Sequence, residues 1–219
     1  MKKITRITGL LLVTGLVTTG CAAESVHKLT ATTAQGSAAI ALFQGSSMDY
    51  IVANSNKELA GFSELVVQGE VLSFEVGRTW DLLGGDAQPA WKSVVMTLRV
   101  NKELKKESGK TIPSTIYVEF PDTVLVTEAD FAKAIPVGSQ VVAYIETAAP
   151  EGGDGITVVS NKGNSKLQSG KNLFRVLDPQ ALAISLSSNP GNVVFPEMGI
   201  EFAGPLSATY PDGSFIAKD

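Results

Sequence analysis

The chain has 219 residues, with 18 basic and 22 acidic side chains, one histidine and one cysteine. A net charge of −4 offers no basic surface for releasing counterions from nucleic acid, so no nucleic-acid partner is expected. One histidine and one cysteine cannot supply the several nitrogen and sulfur ligands of a zinc site. The lone histidine, His27, lies near the start of the chain, away from any position where a Ser-His-Asp or Cys-His nucleophile would need it.

The first residues, Met1-Lys2-Lys3-Ile4-Thr5-Arg6, are followed by an apolar stretch centred on Leu10-Leu11-Leu12-Val13 and Leu16-Val17. A positive flank, a short apolar region and small residues make the form of a secretory signal. The apolar run is shorter than the roughly 20 residues that span a bilayer. Thr18-Thr19-Gly20-Cys21 then resembles the lipobox of bacterial lipoproteins, with Thr18 where an aliphatic residue is usual. The resemblance implies diacylglycerol on the Cys21 thiol, cleavage just before it and a membrane as partner. A lone thiol in an exported chain has no disulfide partner, which agrees with that role; the alternative is an inert cysteine in a signal cleaved elsewhere. Loss of residues 1–20 removes Lys2, Lys3 and Arg6 and leaves 15 basic against 22 acidic residues, a net charge near −7. A polybasic grip on lipid headgroups is thus excluded, and two or three acyl chains would do the anchoring. Ala22 stands where some Gram-negative lipoproteins carry an aspartate that retains them at the inner membrane. The expected address is therefore the outer membrane or the outer face of the cell membrane.

Residues 21–45 are mostly Ala, Thr, Ser and Gln and read as a flexible tether, with a loosely packed strand at Ala39–Phe43 as the alternative. Ser46-Ser47-Met48-Asp49 has the look of a helix cap, which predicts a short helix through Tyr50, Ile51 and Val52 with Gly61 available to end it. From Leu65 the period becomes two. Odd positions are apolar or small as far as Val71, after which Leu72, Phe74 and Val76 take over the apolar face. Such a phase slip beside Gly69 predicts a β-bulge that bends the strand. Leu83–Pro89 is a loop. Trp91–Val100 alternates, Lys102–Lys106 carries that strand out to solvent, and Ile116, Val118 and Phe120 mark a third strand. Thr127-Glu128-Ala129-Asp130 matches a capping box, and Pro136 ends its helix. Two more strands, Val141–Ile145 and Ile156–Val159, flank the turn Pro150–Gly155. Residues 161–172 read as a mobile loop and Leu173–Leu177 as a further strand. Beyond them come a short helix near Pro179–Ile184, an extended flap holding Val193-Val194-Phe195, and a turn at Tyr210–Gly213.

The order strand, strand, strand, short helix, strand, strand, with a bent first strand, resembles the OB-fold. It implies a mainly β chain with a five-stranded barrel over residues 46–160, preceded by a helix and followed by a C-terminal extension over 161–219. Ser46–Tyr50, Ser63–Val71 and Pro136–Tyr144 also look like the corresponding segments of a group of exported bacterial proteins, which implies no known activity. OB-like domains of metalloproteinase inhibitors and netrins are similar in outline, but the inhibitors work through a free, disulfide-held N-terminal cysteine, and Cys21 would be acylated and unpaired.

Gly84-Gly85 and Gly152-Gly153 lack the strand, helix and Lys-Ser/Thr setting of a phosphate loop, so no cofactor is expected. Trp80 and Trp91 bracket the first hairpin loop with Arg78 nearby. They either stack on a ligand at the barrel mouth or plug the barrel core. Asp81 and Asp86 flank one glycine loop, Glu151 and Asp154 another. Paired carboxylates hydrolyse glycosidic bonds when held at set separations; as solvated turn residues they do nothing of the kind. Two functions follow as expectations: a lipid-anchored binding or interaction module for an envelope protein or glycan, or a glycan-acting hydrolase using acidic residues only.

Overall fold

The computed structural model describes residues 29–43, 52–82, 91–120, 126–148, 156–160, 167 and 172–218. Two long strands dominate them, β1 (Leu65–Leu82) and β2 (Trp91–Lys106), paired antiparallel from Leu65↔Lys106 to Trp80↔Trp91. The phase slip in the sequence is a bulge. Val71 faces Leu98 and Ser73 faces Thr97, leaving Leu72 as the extra residue, so Val71 and Phe74 both reach the core although three positions apart. A second register shift follows between Val76 and Thr79. Strand β3 (Thr115–Phe120) pairs with β2, and helix α3 (Glu128–Ala134) leads into β4 (Gln140–Thr147). Residues 65–70 of β1 pair back onto β4.

The ring is closed by a strand from later in the chain than the sequence suggests. Ile156–Ser160 (β5) pairs with the distal part of β1, Thr79–Leu82. The strand that fills the gap between β3 and β4 is β6 (Leu173–Val176), parallel to β3 and antiparallel to β4. The chain is thus mainly β, with an OB-like five-stranded barrel β1-β2-β3-β6-β4 and a short helix between its third and fourth strands. The sheet then continues from β4 through β7 (Leu182–Ser185), β8 (Asn192–Phe195) and β9 (Ile200–Ala203). The predicted flap Val193-Val194-Phe195 is therefore a buried sheet strand, as fits three apolar residues 0–2% exposed.

Helices close one end of the barrel. Thr127 accepts a bond from Asp130 N while Asp130 Oδ2 accepts one from Thr127 N, the reciprocal capping box the sequence predicts. That cap aims Phe131, fully buried, at Phe74, Phe120 and Phe43. Beside it lies α1 (Ala34–Ala41), inside the stretch expected to be a flexible tether. Residues 29–43 are instead part of the body: Leu29 bridges Phe202 on β9, and Ala39 and Ile40 enter the core. Small residues allow this close fit; a Cβ on Gly36 would meet Glu201 Oε2 at 2.2 Å. The helix expected after Ser46–Asp49 begins in a segment outside the described residues; the described part holds α2 (Asn56–Phe62). It starts at Ser55, whose side chain accepts from Glu58 N, and runs through Gly61. Against the outer face of β1, β4 and β7–β9 a second core forms from α2 and the C-terminal segment, with Phe202 stacked on Phe215 at 3.9 Å. The region read as an extension is bonded into the body by side chains. Gln180 holds Ala53 N and O and Ala217 O, and Asn56 donates to Ala208 O and Phe215 O.

Candidate functional site

The hairpin β1–β2 runs past the barrel as an arm braced by β5, and it carries four of the residues singled out from the sequence, Arg78, Trp80, Asp81 and Trp91. Trp80 and Trp91 are Cα partners in its register, and Asp81 pairs with Thr157. Their side chains, and all of Cys21, Asp86, Glu151 and Asp154, lie outside the described residues. Arg78 is described, and it is buried, 4% exposed. Its Nε bonds both oxygens of Glu119 at 2.9 and 3.0 Å, and its Nη2 closes the fork. Ser93 completes the group, accepting from Arg78 N at 2.6 Å and donating to Glu119 Oε1 at 2.6 Å. Gly77 makes the approach feasible, since a Cβ there would stand 2.1 Å from Ser93 Oγ. The guanidinium expected to meet a ligand is therefore engaged within the fold. This arrangement fixes the angle at which the arm leaves the barrel, because Arg78, Ser93 and Glu119 belong to β1, β2 and β3.

At the base of the arm is a cleft of about 290 Å³ lined by Val76, Lys92, Ser93, Val94, Val126, Thr127 and Glu128. Its apolar part comes from three valines, of which Val76 is 41% exposed. Its polar rim comes from β2 and the first turn of α3. Among the described residues that line it, Glu128 supplies a carboxylate. The cleft is suited to holding an extended segment over an apolar floor with a few polar contacts.

Two carboxyl groups, Asp178 and Glu197, lie near enough for one charge to act on the other, at a place the sequence gives little reason to choose. Asp178 caps the turn before β7, accepting from Gln180 N at 2.7 Å, and Glu197 lies in the β8–β9 turn. Burial pushes the Glu197 carboxyl up to about 7, and the nearby Asp178 charge adds to the rise. Burial also raises Asp178, against the amides of Gln180 and Ala181 that hold its anion. Only the Asp-Pro start of the cap and the Phe-Pro-Glu turn are visible in sequence; their meeting is a product of β7–β8–β9 packing. Among the described residues no group of three or more His, Cys, Asp or Glu is arranged to hold a metal ion, and no helix is long and apolar enough to cross a membrane.

Comparison with protein-family models, curated proteins and solved structures finds no match to this chain.

Proposed function

We propose that this protein is a lipid-anchored extracytoplasmic binding module, held to its membrane through Cys21 and gripping an envelope protein or glycan at the cleft under the β1–β2 arm. The observation that carries the binding half is the cleft itself, an apolar floor with a polar rim beside an arm braced by the Arg78–Glu119 pair. The anchoring half is supported by the lipobox-like sequence before Cys21.

Pull-down of the lipidated protein from its own membranes tests the reading, with Val76→Glu and Lys92→Glu as comparisons. A specific partner or glycan retained by the wild type and lost from both variants supports it. Retention of nothing, or equal retention by all three, removes the binding claim. Cys21→Ser should move the protein from the membrane to the soluble fraction, and a variant that stays membrane-bound removes the anchoring claim.

The Asp178–Glu197 pair favours a second reading, a hydrolase of envelope glycan that uses acidic residues only. A carboxyl titrating near 7 is in the range a general acid needs. Asp178, however, is occupied as a cap and is 5% exposed, which leaves it poorly placed as base or nucleophile. Loss of glycan turnover in Glu197→Gln would establish this reading over the first.

A further inference from the structure

The first described residue, Leu29, is already paired into the body. Leu29 bridges Phe202, Thr30 N donates to Glu201 O, and Thr33 gives both its amide and its hydroxyl to the Glu201 carboxylate. Asn192 Nδ2 donates to the other Glu201 oxygen at 2.6 Å. Farther along, Gln35 Oε1 accepts from Ser188 at 2.7 Å, in the turn between β7 and β8. Ser187 in turn reaches Val137 O and Ser139 Oγ in the turn before β4. One continuous face therefore joins the entering chain, the turn 186–191 and the turn 136–139.

Among the described residues, this face carries no charged side chain. Residues 29–43, 134–145 and 182–195 contain no Asp, Glu, Lys or Arg in a chain that is 18% charged. The carboxylate enclosed beneath it, Glu201, is 2% exposed. Lys133 borders the face at the end of α3, and the Glu70–Arg99 ion pair borders it across Gln140. Within it Leu29 and Val137 are 58% and 60% exposed. Bringing such a face to a lipid surface desolvates no ion.

The length of chain outside the described fold decides what meets it. Cys21 is separated from Leu29 by eight steps along the chain, which reach at most about 28 Å when fully extended and on the order of 16 Å as a coil. A folded body of about 190 residues is roughly 40 Å across. A tether shorter than the body holds the point of attachment, and the face around it, toward the bilayer.

We propose that the charge-free face formed by Leu29, the turn 186–191 and the turn 136–139 rests on the surface of the membrane to which Cys21 is attached. The proposal rests on the anchoring reading above. The opposite end of β4 then points away, since Thr147 and Glu64, joined to Lys110, lie about 20 Å along the strand from Gln140.

The test couples the mature chain, beginning at Cys21, through its single thiol to a maleimide lipid in nanodiscs that carry a gadolinium-chelating lipid. Coupling in this way separates the orientation from the question of whether the cell adds the lipid, which Cys21→Ser and the mass of the native protein answer. Paramagnetic broadening of amide signals should be several-fold stronger at Leu29, Val137 and Ser188 than at Ser108 to Lys110. Equal broadening at the two ends, or the stronger effect at Ser108, overturns the proposal. Glu201→Ala, which frees Thr33 and lengthens the tether toward Phe43, should even out the broadening while the barrel signals keep their positions; unchanged broadening contradicts the role given to the clasp.

Discussion

At the scale of single residues, the buried groups divide by what balances their charge. Arg78 and Glu119 neutralise each other, with Ser93 completing the hydrogen bonds. Arg78→Met leaves Glu119 buried without its counterion, with the Ser93 hydroxyl still donating to it, and should cost about 3–5 kcal/mol in urea denaturation. Arg78→Met with Glu119→Leu should recover most of that loss; a double variant as unstable as the single would mean that the pair does more than neutralise itself. The 41-residue separation of the two partners explains why Arg78 reads as a ligand contact in sequence: nothing local shows that its charge is already met. Glu197 is part-buried, and among the described residues the charge of another carboxyl, Asp178, acts on it. Its raised titration, from an ordinary 4.5 to about 7, means that the folded state binds the proton more tightly than the unfolded chain. Stability from this group is therefore full below about pH 4.5 and is lost as pH rises through 7. Glu197→Gln should be more stable than wild type at pH 8, by about 2 kcal/mol, and near parity at pH 4.5. Unfolding curves that differ equally at both pH values would contradict the assignment.

At the scale of elements, legibility tracks how local the cause is. The capping box of α3 and the bulge of β1 were readable because each is specified by residues within a few positions of one another. Helix α1 was not. Its sequence, AQGSAAIA, has no strong apolar stripe, and it is held by contacts from β9, above all Glu201. Glu201→Ala should leave Thr33 N and Asn192 Nδ2 without their acceptor, each a loss of about 1–3 kcal/mol if they remain buried. Hydrogen exchange should accelerate at Thr33 to Ser37 while β1 and β4 keep their protection. Equal acceleration across the barrel would show that α1 is part of its cooperative unit.

For the molecule as a whole, the short strands misled most. Ile156–Val159 and Leu173–Leu177 both read as strands, and the nearer one in sequence is the natural choice to complete a barrel. The structure uses the later one, because β5 is taken up by the far half of β1, which the bulges carry away from the ring. The candidate site was legible to the same degree. The arm and its tryptophan positions follow from the alternation of β1 and β2, whereas the cleft needs Val76, Lys92 and the start of α3 brought together. A chain ending at Ser160, where the barrel was expected to end, lacks β6 and exposes the edges of β3 and β4 together. Circular dichroism and urea titration should show no cooperative transition for it. A truncated chain that unfolds in a single sharp step would mean that the ring closes without β6.

Closure by β6 also imposes an order in time. Tyr117 and Leu173 are neighbours across a parallel pair, yet β3 is complete more than fifty residues before its partner has been made. A chain delivered from its N-terminus holds β1 to β4 as an open sheet until residue 176 has emerged, with the inner faces of Met96, Val118 and Val141 exposed to water. Pairings this distant form slowly, and an open apolar sheet is the kind of species that holdases protect. The same connection that makes the finished barrel seamless leaves the growing one unfinished for four-fifths of its length.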